Sequence, residues 1–225
     1  MFRLTLLAIV GLALACGRAD AYSVDFVTFD GIDYMRMADG AGRPLERADL
    51  GPEFAVVKCN TTPASTCADG DDKAAALLPG GTRVYAVRGY KTSFRLAAVV
   101  GEEILVFESW RSARAKTGAD LYDIAGRVHA IDVRRVSPGN VVAPATAMIS
   151  HRADVDALAA MIERASFGPP RQKSVGHARY WLTFWLTDGT TLARAYFPET
   201  GELTGGLALP PEFRETIERH LPARK

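Results

Sequence analysis

The chain has 225 residues, 48% hydrophobic and 24% charged, which is enough apolar material for a packed core and not the composition of a disordered chain. Its 27 Lys and Arg are balanced by 26 Asp and Glu, and no basic stripe interleaves with stacking aromatics, so nucleic acid is set aside as a partner. The length suits one large domain or two small ones.

Met1-Phe2-Arg3 carries a positive charge, and residues 4–15 are apolar or small throughout. That run is long enough for the apolar region of an export signal and too short to cross a bilayer. It ends in Ala13-Leu14-Ala15-Cys16, which resembles a bacterial lipobox, where small residues precede a Cys that is lipidated and becomes the mature N-terminus. The pattern departs from that motif at Ala13, where Leu, Val or Ile is usual, and at Leu14, where a small residue is usual. Two other readings stay open: ordinary cleavage after Ala19-Asp20-Ala21, leaving Tyr22 first, and Cys16 buried in a helical core. Residues 1–21 are thus expected to be a signal peptide. The rest is expected to be exported and held at a membrane surface by one lipid group on Cys16, or secreted or periplasmic if cut after Ala21.

With Cys16 set aside, Cys59 and Cys67 are an even pair around a polar segment without hydrophobic period. In an oxidising envelope they are expected to close a disulfide loop worth about 2.6 kcal/mol at best by chain entropy. A metal site fits less well, because the spacing is not C-x-x-C and no His is near.

Residues 23–29 alternate, Asp30-Gly31 turns, and residues 32–37 resume an extended pattern, which predicts a hairpin. Residues 45–50 are weak, and 54–58 read as a short strand. Asp69-Gly70-Asp71-Asp72-Lys73 clusters carboxylates but does not meet the EF-hand pattern, leaving a solvated turn or a calcium loop as readings. Pro79-Gly80-Gly81 opens the longest stretch of agreeing signals: strands over 82–87, 94–100 and 104–107, broken at Gly89 and Gly101, form a meander. Residues 110–119 read as a polar connection. Residues 121–124 and 128–133 read as a strand pair around Gly126, and Ser137-Pro138-Gly139-Asn140 breaks the structure.

Residues 150–165 give the clearest helix, with Ser150 as a cap and Val155, Leu158, Ala159 and Ile162 on one face. Gly168-Pro169-Pro170 ends it and marks the best boundary. By element type the chain reads as a β-rich part, 22–149, and a helix–hairpin–helix part, 150–225, the latter either separate or continuous with the first, with Gly168 as the place where two small domains would split. Residues 179–197 form the strongest hairpin, with Asp188-Gly189 as a two-residue turn. Tyr180, Leu182, Phe184 and Leu186 share one strand face, and Trp181, Thr183, Trp185 and Thr187 the other. Pro210-Pro211 opens a last helix striped by Phe213, Ile217 and Leu221. Trp181 and Trp185 either pack beneath that helix or face a ligand. The expected class is α+β, mainly antiparallel meander and hairpins, with two helices in the C-terminal half.

No catalytic signature stands out. There is no G-x-S-x-G, H-E-x-x-H, P-loop or dinucleotide fingerprint, and His129, His151, His177 and His220 are scattered. Glu102-Glu103 and Asp71-Asp72 sit at turns, where charges are solvated. No catalytic residue, metal ligand or cofactor is therefore assigned. The run 78–90 (LPGGTRVYAVRGY), followed by Phe94-Arg95-Leu96-Ala97-Ala98, resembles a segment of uncharacterised exported proteins and lipoproteins of bacteria. Asp188-Gly189-Thr190, Tyr196, Gly201-Glu202-Leu203 and Pro211-Glu212-Phe213 are similar to their C-terminal part. The chain differs after Gly89-Tyr90, where Lys91-Thr92-Ser93 stands in place of an Asp-Pro. The resemblance implies no activity. The expectation is a non-catalytic envelope lipoprotein or secreted protein, a module binding an envelope protein or cell-wall ligand. The alternatives are a hydrolase with an unrecognised Asp/His site and a structural subunit of an envelope assembly.

Overall fold

The computed structural model describes residues 25–36, 41–61, 67, 72–136, 147–169 and 179–222. Cys16 and the segment 1–21 expected as a signal peptide, most of the acidic run 69–73, the break at 137–140 and His177 lie outside the described residues.

The N-terminal half builds one eight-stranded sheet. Its strands are β1 (Phe26–Phe29), β2 (Ile32–Arg36), β3 (Leu50–Val56), β4 (Cys59–Asn60), β5 (Ala74–Ala75), β6 (Arg83–Val87), β7 (Arg95–Val100) and β8 (Glu103–Ser112). They lie in the order β3-β6-β7-β8-β2-β1-β5-β4. The first hairpin turns where expected: Asp30 and Gly31 both take positive φ, 52° and 70°, the twist that a two-residue turn needs. The meander β6–β7–β8 is antiparallel, and β2 pairs with β8 rather than with its sequence neighbour β3. One face buries Val27, Phe29, Tyr34, Leu96 and Phe107.

The second sheet takes strands from both sides of residue 150. Its elements are β9 (Val128–Val136), β10 (Ala147–Ile149), α1 (Arg152–Arg164), β11 (Ser166–Phe167), β12 (Arg179–Leu186), β13 (Thr191–Phe197), β14 (Glu202–Leu203), β15 (Leu207–Ala208) and α2 (Pro211–Arg219). The strand order is β10-β9-β12-β13-β14-β15-β11. Both helices cover one face. Val155, Leu158, Ala159 and Ile162 of α1 are buried there, as their spacing requires. Phe213 and Ile217 of α2 join them, with Phe213 edge-on to Tyr196 at 5.0 Å. The architecture is α+β, dominated by antiparallel strands, with two helices in the C-terminal half.

Several local expectations are corrected. β8 continues through Ser112, so residues 110–112 are strand and not connection. Residues 121–124 form no strand. They pass through the core irregularly, with polar groups satisfied by nearby backbone and by side chains: the amides of Leu121 and Tyr122 donate to Gly118 O, Glu163 Oε1 accepts from the amides of Ile124 and Ala125, and Ser109 Oγ donates to Leu121 O. Helix α1 starts at Arg152 with His151 at the cap position, and Ser150 does not cap it. The β12–β13 turn is wider than two residues. Gly189 has φ of 83° and donates to Leu186 O, while Asp188 stays outside the positive-φ region. After the β12–β13 hairpin, Glu202–Leu203 and Leu207–Ala208 form the small β14–β15 ladder. The last helix covers the Tyr180–Leu182–Phe184–Leu186 face, so Trp181 and Trp185 do not pack beneath it.

Candidate binding cleft

The opposite face of β12 meets the first sheet across a cleft of about 440 Å³. A site of that size suits a small ligand of ring dimensions. Three charged residues are buried together at the cleft: Arg95 and Glu108 belong to its lining, and Arg194 lies behind them. Arg95 on β7 and Glu108 on β8 are register partners. Arg95 Nη2 donates to Glu108 Oε1 at 2.7 Å, and Arg194 Nη1 from β13 donates to Glu108 Oε2 at 3.0 Å. The three residues are 0%, 4% and 2% exposed in the order Arg95, Glu108, Arg194. Such a group survives burial only when its charges compensate and its donors find acceptors. Arg95 also donates to Thr190 Oγ1 at 2.8 Å and to Thr191 O at 2.9 Å. Arg194 donates to Ser109 O at 2.8 Å. The Arg95 guanidinium lies 4.9 Å from the Tyr90 ring centre and 5.1 Å from that of Phe94, within cation–π range.

The network continues into the β12–β13 turn. Thr190 donates to Asp188 Oδ1 from its amide at 2.9 Å and its hydroxyl at 2.7 Å, and Tyr90 Oη donates to Oδ2 at 2.8 Å. Burial alone would raise the Asp188 pKa. These three hydrogen bonds and the Arg95 charge outweigh it and hold the carboxyl below its ordinary range. Burial, then the bond to Asp188, pushes the Tyr90 hydroxyl up to about 12. Burial opposes the charge on Arg194, but the adjacent Tyr122 oxygen and Glu108 carboxylate overcome it and raise its pKa.

The walls come from both sheets and from one strap. Trp181 and Thr183 of β12 line one side, and Arg134 of β9 stands in register with Trp181. Arg134 Nε donates to Asp132 at 3.1 Å. Arg36, at the end of β2, lines the rim with Asp25 at 3.8 Å. Burial raises the Asp25 pKa, while the Arg36 charge pulls against that shift. Residues 41–45 strap the cleft. Arg43 donates from its amide to Gly189 O at 2.9 Å and from Nε to Asp188 O at 2.7 Å, and its terminal nitrogens fork onto Asp49 at 2.7 and 2.9 Å. Gly42 passes so near the turn that a Cβ there would lie 2.7 Å from Gly189 O.

The structure separates the residues singled out in the sequence. Trp181 lines the cleft. Trp185 shares its strand face, opposite Ala130 and Thr191, and its indole Nε1 is buried without a hydrogen-bond partner. Cys59 and Cys67 stand at disulfide distance, with S–S of 2.02 Å and Cα–Cα of 5.4 Å, on the β4 edge and outside the cleft lining. Among the described residues no three His, Cys, Asp or Glu group to hold a metal. An Asp–His pair exists, His220 Nε2 to Asp154 Oδ2 at 2.9 Å, but it ties α2 to α1 and does not line the cleft.

Sequence reading missed Arg95, Glu108, Arg194 and Arg134. A signal was present for the first three: each interrupts an apolar strand, in FRLAAVV, LVFESW and TLARAYF. A charge at an inward position of a strand is either paired or wrongly placed. Comparison of the chain with protein-family models, with curated proteins and with solved structures finds no match.

Proposed function

We propose that this protein is an exported, non-catalytic binding module that receives a small ligand or part of an envelope partner in the cleft between its two sheets. Membrane attachment through a lipid on Cys16 completes the reading. The observation that carries it is the chemistry of the cleft. Among the described residues its lining holds a single carboxylate, Glu108, and both Glu108 oxygens are committed to guanidinium groups. A general acid or base must exchange a proton with substrate. A carboxylate fixed between two buried arginines serves instead to build a rigid polar floor. Trp181 adds a half-buried aromatic wall of the kind used to seat rings and apolar groups.

The test is photo-crosslinking in cells from a photoreactive residue at position 181, with mass spectrometry of the captured material and of the N-terminal peptide. A control carries the same residue in place of Met148, which is 54% exposed on β10. A recurrent partner or glycan captured from 181 and not from 148, with a lipid on Cys16, supports the reading. Identical capture from both positions overturns the cleft as the binding site, and Tyr22 as the mature N-terminus overturns the anchor.

A further inference from the structure

The geometry points to a ligand that carries one oxyanion, a carboxylate or a phosphate, on a ring-sized body. The oxyanion is held at the rim by Arg36 and Arg134, and the ring lies against Trp181. This rests on the cleft reading above and names its ligand class.

The charge inventory leads there. Among the described residues four arginines line the cleft, Arg36, Arg43, Arg95 and Arg134, against Glu108 alone. Glu108 is neutralised by two guanidinium groups, so it offers an approaching anion little repulsion. Arg43 is spent on Asp49 and Asp188 O. The other two rim arginines are held loosely. Asp25 lies 3.8 Å from Arg36, beyond hydrogen-bond distance, and Arg134 gives Asp132 only its Nε. Their side chains are 39% and 43% exposed, so both reach solvent while belonging to the lining. An exposed guanidinium fork is the side chain best matched to carboxylate and phosphate.

A second observation comes from the floor. Arg95, fully buried, keeps its Nε without any acceptor, an unusual state for a buried cationic donor. The floor therefore carries two guanidinium groups against one carboxylate and an unmatched donor, a positive balance that favours an oxyanion held at the rim above it. Trp181 stands in register with Arg134, which sets an aromatic face next to a charged fork. A sugar acid or sugar phosphate presents those two features together: an apolar ring face and one anionic group.

The experiment is calorimetric titration of the full chain with D-glucuronate, D-glucose 6-phosphate and D-glucose, on the native protein, on Arg134→Gln and on Arg36→Gln. Arg134 is half exposed and its loss leaves the floor intact. The expected result is that at least one acid binds roughly tenfold more tightly than glucose, and that Arg134→Gln removes most of that preference. The acid that wins distinguishes carboxylate from phosphate. Equal binding of all three overturns the oxyanion inference and leaves the cleft reading standing. Binding of none overturns the inference as well, and the crosslinking comparison of positions 181 and 148 then decides the cleft reading separately. A preference for acid that Arg134→Gln and Arg36→Gln both leave unchanged places the anion elsewhere and also overturns it.

Discussion

Glu108 decides whether two buried guanidinium groups are tolerable. Replacing it by Gln keeps the shape but leaves Arg95 and Arg194 without a countercharge in a site where both are almost fully buried. The expected cost is about 3–5 kcal/mol, read as a lower urea midpoint with little change in slope. Replacing all three residues together, Arg95→Met, Glu108→Leu and Arg194→Met, is expected to recover most of that loss, because the desolvation cost disappears with the charges. Asp188 makes the second prediction at this scale. Its folded pKa is depressed, so the unfolded chain takes up protons first as the pH falls. The stabilisation is complete above the unfolded pKa of about 3.9 and is lost as the pH falls through the folded value. Asp49, lowered to about 2 first by its hydrogen bond with Arg43, acts with the same sign. Urea unfolding followed from about pH 5 downward should show falling stability, and Asp188→Asn should flatten that limb.

Elements show why part of this was legible in the sequence and part was not. The stripe Val155–Leu158–Ala159–Ile162 is a local property, fixed by the helical period alone, and all four side chains are buried. The Asp30-Gly31 turn is equally local. The run 121–124 has strand composition, but Ile124 N and Leu121 O are satisfied by the side chains of Glu163 and Ser109, partners 39 and 12 residues away, and a local pattern carries no record of them. The same holds for the floor, where β7, β8 and β13 each supply one charge. An isolated Arg in an apolar strand announces that a partner exists without saying which. The strap at 41–45 has no periodic pattern of its own, and its bridge from Asp49 to the β12–β13 turn depends on turn residues distant in sequence. Gly42→Ala should push this strap from the turn and cost about 1–3 kcal/mol, since the neighbours it meets are backbone and cannot step aside. Gly168→Ala meets open space and should change stability by no more than about 0.5 kcal/mol in the same melts.

For the whole molecule, the disulfide and the floor stabilise in different ways. Cys59–Cys67 closes a short loop on the outer edge of the first sheet. Its removal, as Cys59→Ser with Cys67→Ser, should lower stability by up to about 2.6 kcal/mol and leave ligand titrations at the cleft unchanged. The buried triad joins the two sheets directly, and its effect extends to motion. Parting the sheets while each stayed folded would strand Arg194 from its countercharge on one side and Glu108 from half of its partners on the other. That makes a half-open intermediate costly relative to complete unfolding. Slow amide exchange should therefore be shared: the core amides of β7 and those of β13 should exchange through one global event, with a common free energy and a common response to denaturant, although they belong to different sheets. In Arg95→Met/Glu108→Leu/Arg194→Met, where nothing charged is stranded by separation, the two groups of amides should part company.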